Sequence, residues 1–372
     1  MAVINAAQIS VPTAAKYAQA SFEGRYEFDV MTRRLERSVH LVEKPLAFAR
    51  VLQRLRQPTW YMEYRDRPIT QAFRHGLSDA IMRLGATLVQ HSNMRRHNPD
   101  AQSIALRWHS QGRKERIFHY KEAYLPHMTH FDRDGYSGWS EIAAAKKSLR
   151  AEYPEPAVAD AFFAEDVRPF LAQRRSKFAQ SEEAFDVEPG FVFVPLQVLN
   201  DAVIALKHEE DYLTSLGHVL GFLHARGMRL VLKRHPQCRA PEMAAFLRQM
   251  VDSQMAVSTT ASIHDIIPRA QGVVTMNSGV GFEALLYEKP VVLLGRADYA
   301  EMAFALTDTR SGEAAMQKAL DFLRAGEAPA GLRQHLFVML RKYQVDSRSE
   351  DAFDRALLRA LCVYHLETPM AA

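Results

Sequence analysis

The sequence predicts an α/β protein of two domains, the C-terminal one built on a parallel sheet with helices wound on both faces. Three observations predict it. The chain has 372 residues, enough for two domains of ordinary size that each bury a core. After Gly190, short apolar runs alternate with helical segments, the pattern of repeated strand–helix–strand units. The first of those runs, Phe191–Gln197, is continuously apolar, as expected of a strand covered on both faces.

Taken in order, segments 30–56 and 70–84 have helical spacing, with Leu41, Phe48, Val51, Leu52 and Leu55 in the first. Thr59–Met62, Thr87–Val89 and Ser103–Trp108 read as short strands, and Lys121–Trp139, dense in Gly, Tyr, Trp and charge, as a loop. Helices are expected over 140–151 and 156–184, the second entered through Pro154 and Pro156 and closing on Ser181-Glu182-Glu183. Further strands are expected at Met228–Leu232, Met255–Ser258, Gly272–Thr275 and Pro290–Leu294. Between them lie helices at Asp211–Arg226, Pro241–Asp252, Ser262–Arg269 and from about Ser278; helices over 312–325, 331–343 and 349–364 follow. The expected domains are 1–186 and 187–345, with a helix in 346–372 packing back on the N-terminal one.

Composition narrows the function classes. Hydrophobic residues at 48% and charged residues at 24% mark an ordinary globular chain. The longest apolar runs, such as Gly190–Leu196, are strand-length, well short of the roughly 20 residues a membrane-crossing helix takes. The start of the chain lacks a basic, then apolar leader, and Cys238 and Cys362 read as reduced thiols, so the expected location is the cytoplasm. A formal net charge of +4 decides little. Basic clusters at 31–37, 93–97 and 173–177 fit either solvated helix faces or attraction to an anionic membrane surface or acceptor. Nucleic acid is not expected, because no zinc finger, RNP-type strand or recognition helix accompanies the charge.

Ligands of a parallel sheet bind at the carboxyl ends of its strands, and four stretches carry chemistry. In Val274–Leu285 a strand ends at Asn277-Ser278-Gly279 and a helix starts at once, offering unpaired N–H groups and a partial positive charge to a phosphate. Glu283, one turn in, is placed to accept from ribose hydroxyls; a plain N-cap with a packing glycine is the alternative. The stretch is widespread in the nucleotide domain of transferases with two facing Rossmann-like domains, the GT-B-type architecture. At the tip of the earlier strand Met228–Leu232, Lys233-Arg234-His235-Pro236 groups two cations and an imidazole into a receptor for phosphate or carboxylate. Gln197 and Asp201 follow the first strand, where a lone Asp reads equally as a cap or a solvated acid. Finally, Glu122, Tyr124, Arg133, Tyr136 and Trp139 lie in an aromatic, acidic stretch suited to sugar rings and hydroxyls. Within it, Asp132-Arg133-Asp134 also has the form of a metal-binding Asp-x-Asp.

Together these stretches resemble the bacterial β-Kdo glycosyltransferases of capsule and O-antigen assembly, whose donor is CMP-β-Kdo. Gln197 and Asp201 match a Gln-x-x-x-Asp motif, and Lys233, His235 and Pro236 match a basic-His-Pro motif. Glu122–Pro126 and Gly135–Trp139 are similar to the O-antigen-capping branch. The resemblance covers roughly 120–300 and implies transfer with retention, through a covalent glycosyl-enzyme. It implies Asp201 as nucleophile and Glu122 as acid/base, with Tyr124, Arg133, Tyr136 and Trp139 toward the acceptor. Gln197, Lys233, Arg234, His235, Pro236, Asn277, Ser278, Gly279 and Glu283 would hold the donor. Neither metal nor other cofactor is expected, and a lipid-linked glycan acceptor and peripheral contact with the inner membrane are. A sialyltransferase-like enzyme, an epimerase or a non-catalytic nucleotide-sugar binder are the competing readings.

Overall fold

The computed structural model describes residues 57–63, 68–92, 98–145, 148–206, 211–306 and 312–367. The helix expected over 30–56 and the basic clusters at 31–37 and 93–97 lie outside the described residues. Twelve strands are described: β1 (Thr59–Glu63), β2 (Leu88–His91), β3 (Ser103–Trp108), β4 (Ile117–Glu122), β5 (Met128–Asp132), β6 (Phe191–Pro195), β7 (Leu230–Lys233), β8 (Val257–Ser258), β9 (Ala270–Thr275), β10 (Val291–Leu293), β11 (Phe304–Ala305) and β12 (Gln344–Asp346). They form two six-stranded sheets, and the chain divides into two compact units. The first unit holds Met1–Ala123, His127–Tyr136 and Leu340–Ala372; the second holds Tyr124–Pro126 and Ser137–Met339. Residues 137–186, which the sequence places before the boundary at 187, pack with the second unit.

The sheet of the first unit runs β12-β5-β4-β3-β1-β2. β1 to β4 are parallel neighbours, while β5 runs antiparallel to both β4 and β12. Trp60, Met62, Ile104, Leu106, Phe118 and Phe131 bury one face against helices Pro68–Arg83 and Glu350–Glu367. The rings of Phe73 and Phe353 meet there at 5.9 Å. Gly76 makes room for them, since a Cβ at that position would stand 2.3 Å from Phe353. The stretch read as a loop from Lys121 is partly sheet: β4 and β5 form an antiparallel pair. Both strands are buried, polar His119, Glu122, His130 and Asp132 included, so the polar/apolar alternation that reveals a half-exposed strand is missing.

The second unit is wound on a wholly parallel sheet, β11-β10-β9-β6-β7-β8. Every residue of β6 is buried, as its continuous apolar run requires. From β6 the chain proceeds outward through β7 and β8, then returns to the opposite side of β6 for β9, β10 and β11. The strand order therefore reverses between β6 and β9, and the crevice above their carboxyl ends is the expected ligand position.

The single helix expected over 156–184 is shorter. Pro156 opens the helix Pro156–Phe162, a wider π-type turn spans Phe163–Val167, and Arg168–Ala172 is the last helical stretch. It stops because Arg174 takes a left-handed φ of 53°, and 173–190 runs on without regular structure. No helix among the described residues is long and apolar enough to cross a membrane.

Candidate functional site

In the second unit, the loops after β6, β7 and β9 all emerge at the carboxyl edge of the sheet. The loops after β6 and β9 are laced together by two buried amides. Gln197 donates from Nε2 to Asn277 Oδ1 at 3.0 Å, and its Oε1 accepts from Asn277 N at 3.0 Å and Thr275 Oγ1 at 3.3 Å. Asn277 Nδ2 donates to Val203 O at 2.8 Å and Arg296 O at 3.3 Å. Both donors of the Asn277 side chain are thus engaged within the protein. The pair ties the two loops together at the point where strand order reverses.

Ser278 caps the helix Gly279–Leu286, its Oγ accepting from Val280 N at 3.2 Å. Ser278, Gly279 and Val280 are only half-buried, so the positive helix end is reachable. The glycines answer a packing demand. A Cβ on Gly279 would meet the Tyr124 ring at 3.0 Å, and one on Gly281 would meet the Tyr299 hydroxyl at 2.6 Å. Tyr299 donates to Ser278 O at 2.5 Å. Tyr124, expected on the acceptor side, is buried: it stacks on Phe282 at 4.7 Å, donates to Asp298, and burial raises its hydroxyl pKa well above the usual range. It props the helix start.

The tip of β7 divides its basic residues by role. Lys233 spends its ammonium on Ala261 O, on Thr260 O at 3.0 Å and on Gln180 Oε1 at 3.3 Å. These three acceptors match its three donors, so it ties β7 to the next loop instead of facing an open anion site. Burial lowers its pKa, offset in part by the negative charge of Glu183. Arg234 turns to Ala240 O at 3.2 Å. His235 is half-buried, and its Nδ1 accepts from Gln237 N at 3.1 Å, leaving the ring proton on Nε2. Burial lowers its pKa, Asp201 raises it, and Lys177 lowers it. Pro236 is exposed and ends the tip.

Asp201 is exposed and starts a short 3-10 turn, Ala202–Leu206, its Oδ1 accepting from Val203 N at 3.2 Å. Its negative charge acts on His235, at the tip of the neighbouring strand β7. Glu283 is fully buried, its pKa raised by that burial to about 7, and Ser176 donates to its Oε1 at 2.6 Å. Ser176 also meets His264 Nε2 at 3.0 Å, and His264 Nδ1 meets the Tyr287 hydroxyl at 2.8 Å.

The remaining expected residues fall in two groups. Glu122 ends β4 in the first unit, buried. Tyr136, also there, is buried under the Lys121 ammonium at 4.3 Å. Arg133 is half-buried in the same unit. Asp132 Oδ1 accepts from the amides of Asp134 at 2.7 Å and Gly135 at 3.1 Å, which makes it a turn cap and weakens the metal-binding Asp-x-Asp reading. Trp139 belongs to the second unit, half-buried in the turn Ser137–Trp139. The structure also brings forward residues the sequence reading passed over, namely Ser176, Lys177 and Gln180. The signal for the first two, the basic run at 173–177, fitted a solvated helix face equally well.

Comparison with known proteins adds three findings. Residues 167–340 match a family model described as capsule polysaccharide biosynthesis protein. Protein FixF of Sinorhizobium fredii is 32% identical over 122 residues, a match spanning 31% of this chain and 28% of FixF. Among solved structures, the β-Kdo 2,7 transferase of Thermosulfurimonas dismutans KpsC has a TM-score of 0.44 at 18% identity, covering 82% of this chain and 100% of that one. The β-Kdo 2,4 transferase of the same KpsC has a TM-score of 0.43 at 12% identity, covering 76% and 98%. At such TM-scores these likenesses add nothing to the sheet topology described above. The stretch matched by the capsule polysaccharide biosynthesis model, 167–340, is the one that holds each strand-end loop of the second sheet, with Gln197, Asp201, Lys233, His235 and Ser278 among its residues.

Proposed function

We propose that the chain is a retaining glycosyltransferase that moves β-Kdo from CMP-β-Kdo to a lipid-linked glycan acceptor of bacterial surface polysaccharide, working at the cytoplasmic face of the inner membrane. The observation that supports the reading is the half-open helix start at Ser278, which follows β9 at the strand reversal of a parallel sheet, with the loops bearing Asp201 and His235 on the neighbouring strands β6 and β7. The family match over the same segment supports it.

In the proposed reaction an Asp201 oxygen attacks the anomeric carbon while the bond to the phosphate breaks. CMP leaves with the bonding electron pair, and a glycosyl ester remains on the enzyme. The helix start and His235 Nε2–H stabilise the charge gathering on the leaving phosphate. In the second step a general base takes the proton of the acceptor hydroxyl, whose oxygen attacks the same carbon and releases Asp201. The two inversions leave the configuration unchanged. The neutralising groups are side chains and a helix end, and no step calls for a metal.

The test is intact-mass measurement after incubation with CMP-β-Kdo and no acceptor. A gain of one Kdo unit mapped to Asp201 is the expected result. Asp201→Asn should abolish both adduct and transfer while CMP affinity stays within about threefold, because the substitution removes a charge from the reacting carbon and not from the phosphate. Transfer at the wild-type rate in that variant would take Asp201 out of the chemistry.

A further inference from the structure

A closed path of side-chain contacts runs around the tip of β7. Phe178, in the connection after Ala172, stands nearly perpendicular to the His235 imidazole, with ring centroids 4.8 Å apart and planes at 80°. Gln180 pins the backbone behind that ring, its Nε2 donating to Phe178 O at 2.9 Å. Gln180 Oε1 in turn accepts from Ile263 N at 3.1 Å and from Lys233 Nζ at 3.3 Å. Lys233 is the last residue of β7, two positions before His235, so the path returns to the tip where it began.

These contacts leave the imidazole one way to serve a ligand. Its Nδ1 accepts from Gln237 N at 3.1 Å, and a backbone amide only donates, so that nitrogen carries no proton. The single ring proton sits on Nε2, which meets no acceptor among the described residues. We infer that Phe178, held by Gln180, is the residue that positions His235, fixing the imidazole as a neutral Nε2–H donor for the phosphate of the bound nucleotide. This rests on the nucleotide-sugar reading above and deepens it. The ligand group recognised is a phosphate monoester or diester carrying a nucleoside. Both rings are half-buried, and burial is the largest influence on the imidazole, lowering its pKa. The charge of Asp201 raises that pKa and the charge of Lys177 lowers it. Without the Phe178 ring part of the burial is lost, and the second proton should bind nearer the ordinary 6.5. That proton would sit on Nδ1 against Gln237 N and break the contact that orients the ring.

The test follows the His235 imidazole of the full chain by proton–nitrogen NMR through a pH titration, its signals assigned by their loss in His235→Gln. The same proteins are titrated with CMP and with cytidine, which lacks the phosphate. They are wild type, Phe178→Ala, Phe178→Tyr and Gln180→Met, each checked for an unchanged melting temperature. Wild type should show the Nε2–H tautomer and titrate below 6.5. Phe178→Ala should titrate closer to 6.5 and weaken CMP by about tenfold with cytidine unchanged, while Phe178→Tyr, which keeps the ring, stays within about threefold of wild type. Gln180→Met unpins the same ring without altering it and should move the imidazole in the same direction. A folded Phe178→Ala with wild-type imidazole signals and CMP affinity would overturn the inference and leave the donor reading standing; should that variant not fold, the same result in Gln180→Met would do so. Equal losses for CMP and cytidine would also overturn it, by making Phe178 a support for the nucleoside. A wild-type chain that binds no CMP would remove the donor reading, and this inference with it, whatever the imidazole shows.

Discussion

At the scale of single residues, Glu283 holds the clearest pH signature. Its carboxyl is buried and takes up protons at about pH 7, against an ordinary value of 4.5. Between those values the native state binds more protons at this site than the unfolded chain does. Glu283 therefore lowers stability as pH rises from 4.5 to 7, and the penalty is complete above 7. His264 has the opposite sign, because burial lowers its pKa to about 4 and its contribution falls as pH drops below 6.5. Urea unfolding of wild type and Glu283→Gln across this range separates the two, since the variant keeps His264. The stability difference should grow in favour of the variant up to neutral pH; a constant difference would remove the buried-acid account. A second residue-scale expectation concerns the amide pair. Asn277→Ala strands Gln197 Nε2 and takes donors from Val203 O and Arg296 O. It should cost about 2–4 kcal/mol in urea unfolding, given about 1–3 kcal/mol for each buried polar group left unmatched.

At the scale of elements, helix Tyr212–Ala225 begins at Asp211, whose Oδ2 accepts from Leu213 N at 3.1 Å and Thr214 N at 3.4 Å. Asp211→Ala should lower stability by about 1 kcal/mol, read as a reduced urea midpoint at constant slope. That helix also shows how much was legible in advance. The sequence puts Asp211 inside the helix as its first residue, and the structure makes it the cap and starts the helix one residue later. The order of strands and helices after Gly190 was readable because each strand of the parallel sheet is a short apolar run between punctuated helices. The edge strand β11 was not, because Phe304–Ala305 is too short to show a period. β4 and β5 hid for another reason: burial on both faces mixes His119, Glu122 and Asp132 into the run. The same limit applies to the site. Residue types at strand tips pointed to Asp201, His235 and Ser278, but spacing alone does not say which way Lys233 or Tyr124 turns. Their hydrogen-bond partners lie 28 and 174 positions away.

At the scale of the whole molecule, the two sheets have separate cores, and the first is assembled from distant parts of the chain. β12 and helix Glu350–Glu367 complete it, burying Phe353, Leu357, Leu361 and Tyr364 against Trp60, Phe73 and Leu77. A chain stopped after Met339 keeps every strand of the second sheet and loses that cover. Hydrogen exchange should then show Thr59–Asp132 unprotected, with Phe191–Ala325 protected as in the full chain. Protection of both stretches would mean that the first sheet stands without its late segments.

The second unit is, in covalent order, almost wholly an insertion between the parts of the first. On the ribosome this sets a schedule. Residues 137–339 can collapse as soon as they emerge, while β1 to β5 wait, exposed at their unfinished face, until 344–364 have been made. During that interval the earlier strands are the part of the chain most in need of a chaperone.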